Sequence, residues 1–136
     1  MTKIKKAKKM KKVKKVKKIT QAKLKKLEKR KVKRLFEAWA RNIKERDNNC
    51  CVICNEKKYL HAHHLLPREL KEFRFDIDNG LSLCAKHHKY CLKNSPHRNP
   101  YLFFKWFESH YPEQSLRLFR KYVDAIKEKE KENATS

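Results

Sequence analysis

The sequence predicts a small α+β fold that is closed around a structural zinc ion and flanked by helices on both sides. Two observations carry this prediction. Two Cys/His pairs flank a segment whose sequence is typical of β-strands. Apolar residues at helical spacing lie before and after this segment. With 136 residues, 39% of them charged, the chain is long enough for one small core but not for two ordinary ones.

The positive charge is concentrated at the N-terminus. Residues 1–34 contain nineteen Lys and Arg against one acid, Glu28, which amounts to +18 of the total +23. Such a charge favours a polyanionic partner, and we expect DNA in preference to RNA. A membrane partner is not expected, because no stretch approaches the roughly 18 apolar residues of a span.

The N-terminal lysines enclose no apolar segment of the kind found in secretory signals. We therefore expect an intracellular protein. In a prokaryotic or phage setting it would work in the cytoplasm or nucleoid, and in a eukaryotic or viral setting the basic arm could direct it to the nucleus.

Residues 1–20 form a basic low-complexity arm. Its apolar residues recur every three positions. On an α-helix each step of three residues falls about 60° short of a full turn, so these residues form no single face. This pattern indicates a solvated, disordered arm, or alternatively one that becomes helical on DNA or RNA. In both cases its lysines bind phosphate, namely Lys5, Lys6, Lys8, Lys9, Lys11, Lys12, Lys14, Lys15, Lys17 and Lys18.

Residues 21–46 are predicted to form an amphipathic helix, with Thr20 as its N-cap and Asp47-Asn48-Asn49 as the turn that ends it. The helix should pack on the domain formed by residues 47–130, which residues 131–136 follow as a tail. Several of its apolar residues lie three or four positions apart, a spacing that is typical of one buried helix face. These apolar residues are Leu24, Leu27, Val32, Leu35, Phe36, Trp39 and Ile43.

The zinc site is predicted from two matched pairs. Cys51 and Cys54 form a C-x2-C pair, and Cys84 and His87 form a C-x2-H pair. A two-residue gap lets a tight turn direct both side chains to one point, and two such pairs can complete a tetrahedral site. In an intracellular chain, cysteines in this pattern indicate metal ligands in preference to disulfides.

Two cysteines remain outside these pairs as alternative ligands. Cys50 could replace its neighbour Cys51, although a C-x3-C pair is the less usual arrangement. Cys91 lies one helical turn beyond His87 and could also substitute.

Three motifs between and around these pairs resemble a known family. They read HAHHLLP from residue 61, RFDIDNGLSLC from residue 74, and AKHHK from residue 85. In order and spacing they resemble the HNH endonuclease family, particularly its phage-type members with a zinc-binding scaffold. The Arg46-Asp47 pair ahead of the first zinc cysteine also resembles the family's usual lead-in, so the resemblance covers about residues 46–94.

The resemblance implies a ββα-metal finger, treble-clef-like, in which two antiparallel strands and a helix surround one catalytic divalent cation. By position, His63 and His88 would bind that metal, His64 would be the general base, and Asn79 would brace the loop between the strands. The implied reaction is hydrolysis of DNA phosphodiester bonds that leaves 5′-phosphate and 3′-hydroxyl ends.

The residue types suit this chemistry. Phosphodiester hydrolysis needs a base for water and a cation for the developing charge, and an imidazole titrates near pH 6.5. His87 and His88, about 100° apart on a helix, could serve two metals. Imidazole ligands with open positions would accept Mg²⁺, Mn²⁺, Ni²⁺ or Zn²⁺.

Two further expectations concern the coordination of this metal. His61 shares a strand face with His63 and is the alternative ligand. One helical turn after His88 stands Leu92, so no further helix-borne histidine is expected, and water or phosphate would complete the coordination.

The C-terminal part is predicted to cover the metal centre. An aromatic group comprises Tyr101, Phe103, Phe104, Trp106 and Phe107, and core packing is its expected role. A last helix would begin at Pro112. Its stripe would be Leu116, Phe119, Val123 and Ile126.

Two other function classes compete with the nuclease. One is a non-catalytic, zinc-stabilised module that binds nucleic acid. The other is a basic ribosomal or RNA-packaging protein, which the arm alone supports.

Overall fold

The chain folds into three helices and a two-stranded sheet, in agreement with the predicted α+β class. The computed structural model describes the backbone of residues 2–135 and the side chains of residues 20–135. A 3-10 turn precedes the second strand and a π-helical turn follows it. In chain order the elements are α1 Thr2–Arg46, β1 Leu60–His64, the 3-10 turn Ile77–Asn79, β2 Gly80–Cys84, the π turn Lys86–Tyr90, α2 Pro100–His110 and α3 Pro112–Ala134.

Helix α1 is longer than predicted. Its backbone is helical through residues 2–20, where the sequence predicted a disordered arm, and it passes Thr20 without the predicted N-cap. The physical reason is composition, since residues 2–46 contain neither Gly nor Pro and are rich in lysine, a good helix former. The side chains of Lys5–Lys18 lie outside the described residues.

The predicted end of α1 is confirmed. Asn48 and Asn49 have φ angles of 56° and 51°, in the left-handed region that asparagine tolerates. Asp47, just before them, accepts a hydrogen bond on Oδ2 from the backbone N–H of Ser82 at 2.8 Å. The turn after α1 is thereby fastened to β2.

The chain comprises two units, residues 1–38 and residues 39–136. In the first unit the predicted buried stripe is wrong at Leu24, Leu27 and Leu35, which are exposed, because a single helix has no second layer on which to bury a face. Trp39 and Ile43 belong to the second unit and are buried there. The apolar residues at the C-terminal end of α1 therefore pack in the core of the second unit.

The hairpin forms the centre of the second unit. Strands β1 and β2 are antiparallel, and His63 pairs with Leu81 while His64 pairs with Gly80. Every residue of β2 is buried. The core joins the hairpin to the metal-binding segment and to α2, and it contains Cys51, Leu81, Leu83, Cys84, Phe103 and Phe107.

Gly80, the only glycine of the chain, lies where α1 approaches β2. A Cβ atom there would lie 2.6 Å from the ring of Trp39 and 2.7 Å from the side chain of Ile43. Its φ of −149° is ordinary extended backbone. Close approach of the helix, not backbone conformation, is thus the reason for glycine at this position.

The C-terminal helices cover the hairpin in a different way from the prediction. In α2, Phe103 and Phe107 are buried, as expected, but Tyr101 and Phe104 are exposed. In α3 the predicted stripe is wrong at its exposed members Leu116, Phe119 and Ile126.

The buried residues of α3 are Gln114 and Leu118. The side-chain amide of Gln114 donates to the carbonyl oxygens of Asp78 at 2.8 Å and Gly80 at 3.2 Å. The buried part of α3 therefore includes a polar contact with backbone carbonyls, which an apolar pattern does not reveal.

Candidate active site and structural metal centre

Four side chains meet between the turn that follows α1 and the end of β2. The ligating atoms of Cys51, Cys54, Cys84 and His87 all lie within 4.8 Å of one another. The C-x2-C turn supplies two of them, the last residue of β2 supplies the third, and the π turn supplies His87. This cluster could hold a metal ion such as zinc.

The distances suit tetrahedral coordination. The sulfurs of Cys54 and Cys84 are 3.8 Å apart, and His87 Nδ1 lies 3.4 Å from Cys84 Sγ and 3.7 Å from Cys51 Sγ. With Zn–S bonds of about 2.3 Å and Zn–N bonds of about 2.0–2.1 Å, a tetrahedron separates two sulfurs by about 3.8 Å and a sulfur from a nitrogen by about 3.6 Å. The donor set and its spacing therefore fit zinc.

The electrostatics of the thiols also favour a cation. The pKa of the Cys54 thiol is raised to about 11, mainly by burial; backbone hydrogen bonding at Glu56 acts to lower it, and the neighbouring sulfurs of Cys51 and Cys84 act to raise it. Several thiolates so close together repel each other unless a positive ion compensates their charge.

The two remaining cysteines lie outside this cluster. The Cys50 thiol donates to the carbonyl oxygen of Asp47 at 3.1 Å. Cys91 ends the π turn, where its backbone N–H bonds to the carbonyl oxygen of Lys86. Among the described residues, neither belongs to a metal-binding group.

A second cluster contains only histidines. The ligating nitrogens of His63, His88 and His97 lie within 4.8 Å of one another. Nε2 of His88 is 3.2 Å from Nε2 of His97, and the ring of His63 is edge-on to both, with centroids 5.3 and 5.4 Å away. Three imidazoles from β1, the π turn and the following loop thus converge on one point and could hold a divalent metal.

The surroundings of His63 and His88 favour the neutral form of their rings. Burial lowers the pKa of His63 to about 3, with a further contribution from the charges that His88, His97 and His64 would carry. Burial, then His97 and His61, lower the pKa of His88 to about 4. Neutral imidazoles offer the lone pairs that a metal requires.

His97 was not predicted from the sequence, where the expectation concerned only a further helix-borne histidine, and it adds a loop residue to the cluster of His63 and His88. Leu92, at the helical position, is exposed. The backbone instead leaves the π turn at Cys91 and reverses, and the buried Ser95 hydroxyl donates to the carbonyl oxygen of His88 at 2.9 Å. The sequence signal that could have indicated His97 is the Ser95-Pro96 dipeptide. It is typical of a turn, and a turn there lets the chain fold back towards the π turn.

His61 takes a position beside the histidine cluster. Its ring stacks on His88 with centroids 5.1 Å apart and an interplanar angle of 14°. The side chain is exposed, and the metal-binding group does not include it. The contacts of β1 therefore put His61 and His63 on the same side, as the alternation predicts.

His64 makes different contacts from its neighbour His63. Its Nε2 lies 2.9 Å from the carbonyl oxygen of Arg74, and its ring stacks on Trp39 with centroids 3.8 Å apart. Because a carbonyl can only accept, Nε2 carries the proton and Nδ1 carries the lone pair. Burial lowers the pKa of His64, against the opposing effect of the bond to Arg74, and so favours the neutral form of the ring.

Asn79 joins both ends of the loop between the strands. Its side-chain oxygen accepts from the N–H of Leu66 at 2.6 Å, and its amide donates to the carbonyl oxygens of Leu66 at 3.2 Å and Phe73 at 3.0 Å. The side chain is fully buried. It thereby fixes the segment after β1 to the segment before β2, and this loop includes Arg74.

The same loop is held from outside by helices α1 and α3. Arg46 donates to the carbonyl oxygens of Ile77 and Gly80. Lys121 contacts the carboxylates of both Asp76 and Asp78. These contacts connect the loop beside the histidine site to the end of α1 and to α3, and α3 lies outside the motifs recognised in the sequence.

Within residues 2–135 there is no helix with the length and apolar character needed to cross a membrane.

A family model described as HNH endonuclease matches residues 51–90. No curated protein and no solved structure matched the chain. The matched segment contains the C-x2-C turn, both strands and the π turn, and it indicates nuclease activity or nucleic-acid binding. The resemblance seen in the sequence is confirmed for residues 51–90, which match the HNH endonuclease family model.

Proposed function

We propose that this protein is a metal-dependent endonuclease that hydrolyses phosphodiester bonds in DNA. The observation that carries the proposal is the convergence of His63, His88 and His97 next to His64, whose tautomer is set by a backbone carbonyl. A module that only bound nucleic acid would need neither a second metal-binding group nor a base with a defined lone pair.

His64 is proposed as the general base. Its Nε2 proton is committed to the carbonyl oxygen of Arg74, so Nδ1 can accept a proton from the attacking water. Burial lowers the pKa of this ring and so favours its neutral form. Asn79 contributes indirectly, because it fixes the loop that supplies the carbonyl of Arg74.

His63, His88 and His97 are proposed to hold the catalytic divalent metal, for which Mg²⁺, Mn²⁺, Ni²⁺ and Zn²⁺ are the candidates. When bound, such an ion stabilises the negative charge that develops on the phosphate and on the leaving oxygen. The chain contributes three imidazole nitrogens that lie within 4.8 Å of one another. The edge of Phe103 packs against His63, with ring centroids 5.8 Å apart, and helps to keep it in place.

Cys51, Cys54, Cys84 and His87 are proposed to hold a structural zinc ion. Two of these residues, Cys51 and Cys84, belong to the buried core. His87 also neighbours the proposed metal ligand His88, so the zinc would fix the position of the π turn. Structural zinc would thus stabilise both the small core and the active site.

DNA binding is proposed to rest mainly on α1. Its described part exposes Lys25, Lys29 and Lys33 among other basic residues, and the ten lysines of residues 5–18 extend the same charge. Contacts of this kind neutralise phosphates without reading sequence.

The test is cleavage of supercoiled plasmid by the purified protein, with EDTA or with each of the four metals. We expect cleavage that depends on metal and is lost in EDTA. His64→Ala should cut about 10²–10⁴-fold more slowly while it still folds and binds DNA. His110→Ala removes an exposed histidine that contacts only α2 neighbours in the described structure, and it should leave the rate unchanged.

Two results would contradict the proposal. If His64→Ala cuts at the parental rate, His64 is not the base. If the parent protein binds DNA but cuts neither DNA nor RNA with any of these metals, the non-catalytic, zinc-stabilised binding protein is the correct alternative.

A further inference from the structure

One residue of α1 makes a close contact with the proposed base. The indole of Trp39 and the imidazole of His64 are stacked, with ring centroids 3.8 Å apart and planes inclined by only 14°. Trp39 is 4% exposed, so it is part of the core and not a mobile surface group. It lies outside residues 51–90, the segment that matches the family.

The indole itself is held in place from two directions. Its Nε1 donates to the carbonyl oxygen of Asp76 at 2.9 Å. Its six-membered ring occupies the space where residue 80 would otherwise carry a Cβ atom, because that atom would lie 2.6 Å away. Gly80 is the strand partner of His64, so the indole lies over the rung of the hairpin that carries the base.

The imidazole is thereby constrained on a face and at an edge. Trp39 covers one face, and the carbonyl oxygen of Arg74 binds Nε2. Asp76, which anchors the indole, and Arg74 belong to the same loop. A ring restrained in this way loses little freedom when it must align with an attacking water, which is the general advantage of a preorganised base.

We propose that Trp39 is a positioning residue for His64, so that the C-terminal turns of α1 complete an active site whose chemical groups come from the family segment. This inference rests on the proposed nuclease function. Trp39 acts through His64 and contacts neither substrate nor metal.

The kinetic test compares Trp39→Leu, Trp39→Phe and Trp106→Leu in the full chain, each checked for fold and zinc content. At saturating DNA, Trp39→Leu should lower kcat by about 10–100-fold, with the half-saturating DNA concentration changed by less than about threefold. Trp39→Phe keeps an aromatic ring on the imidazole and should recover most of kcat. Trp106→Leu removes an indole whose ring contacts are with His110, Phe103 and Tyr111, and should leave kcat within about threefold.

A second readout does not depend on activity. In the NMR spectrum the indole ring current should shift the ring-proton signals of His64, which are assigned by their absence in His64→Ala. Trp39→Leu should abolish this shift, Trp39→Phe should reduce it, and Trp106→Leu should leave it in place. If Trp39→Leu does not fold, the partial shift in Trp39→Phe decides the question.

The proposal is overturned if folded Trp39→Leu has the parental kcat, or if the His64 signals are the same in the parent and in Trp39→Phe. A parent protein that cuts no DNA would instead refute the proposed nuclease function. The two failures are distinguishable, because the first leaves cleavage by the parent intact.

Discussion

The Nε2 atoms of His88 and His97 lie 3.2 Å apart, although one residue belongs to the π turn and the other to the loop that follows it. At this distance one ring can donate from Nε2 to the other, and both nitrogens are also close enough to bind one cation. The loop of residues 91–99 therefore brings His97 to the histidine cluster as well as connecting the π turn to α2.

The first prediction follows from this contact. His97→Ala should raise the concentration of Mn²⁺ needed for half-maximal cleavage by at least about tenfold, because it removes one of three ligands. Calorimetric titration of Mn²⁺ into the zinc-loaded protein gives the same comparison without DNA. Leu92→Ala is the matched control, since this side chain is exposed and should not affect metal binding. An unchanged Mn²⁺ affinity in His97→Ala would mean that His63 and His88 suffice, as the sequence alone predicted.

The second prediction concerns the structural metal. Cys54→Ser and Cys84→Ser should lose zinc and cooperative unfolding, because structural zinc contributes about 10–16 kcal/mol of apparent free energy in zinc-finger peptides. Elemental analysis and thermal unfolding would measure both effects. Cys50→Ser and Cys91→Ser should bind one zinc as the parent does, since these thiols lie outside the cluster. Folded, active parent protein without zinc would contradict the site.

The third prediction concerns Asp78, which α3 holds next to Asn79. Arg117 and Lys121 donate to its carboxylate at 3.0 and 2.9 Å. Burial acts to raise the pKa of Asp78, but these hydrogen bonds and charges outweigh it, so the pKa lies below its ordinary value of 3.8. Asp78→Asn should destabilise the protein by about 1–2 kcal/mol at neutral pH, a value reduced for the partial exposure of both cations.

The sign of the pH dependence follows from the lowered pKa. The stabilisation by Asp78 is complete above pH 3.8 and is lost only as the pH falls through the lower folded-state value. Urea unfolding should therefore show a constant difference between parent and Asp78→Asn from about pH 5.5 to 7.5. Glu72→Gln, which removes an exposed ion pair with Lys129, should have little effect. A difference that shrinks within this range would contradict the assignment.

The fourth prediction separates binding from chemistry. Replacing the ten lysines between Lys5 and Lys18 by glutamine keeps residues of good helix propensity but removes ten charges. The slope of log affinity against log salt should become less steep by about 0.9 for each phosphate that the arm no longer neutralises. At low salt and saturating DNA, kcat should remain within a few-fold of the parent value, because the histidines are untouched. Binding titrations at several salt concentrations measure the slope, and an unchanged slope would assign the arm to targeting or protein binding.

Short-range patterns in the sequence predicted much of the centre. The C-x2-C and C-x2-H spacings place ligands on tight turns, and the alternation of β1 separates the contacts of His63 from those of His64. The end of α1 could also be predicted, because consecutive asparagines tolerate the left-handed backbone conformation found there. All of these features depend on a few neighbouring residues.

The tertiary structure alone decided which distant groups complete the site. His97 reaches His88 only because the chain reverses after the π turn, whereas helical spacing from His88 leads to Leu92 instead. Trp39 was predicted to be buried, but its partner His64 lies 25 residues further along the chain. In α3 the buried residues include Gln114, which donates to the carbonyls of Asp78 and Gly80, whereas three members of the predicted apolar stripe are exposed. Sequence patterns record local geometry and average hydrophobicity, whereas these contacts depend on how separate elements meet in space.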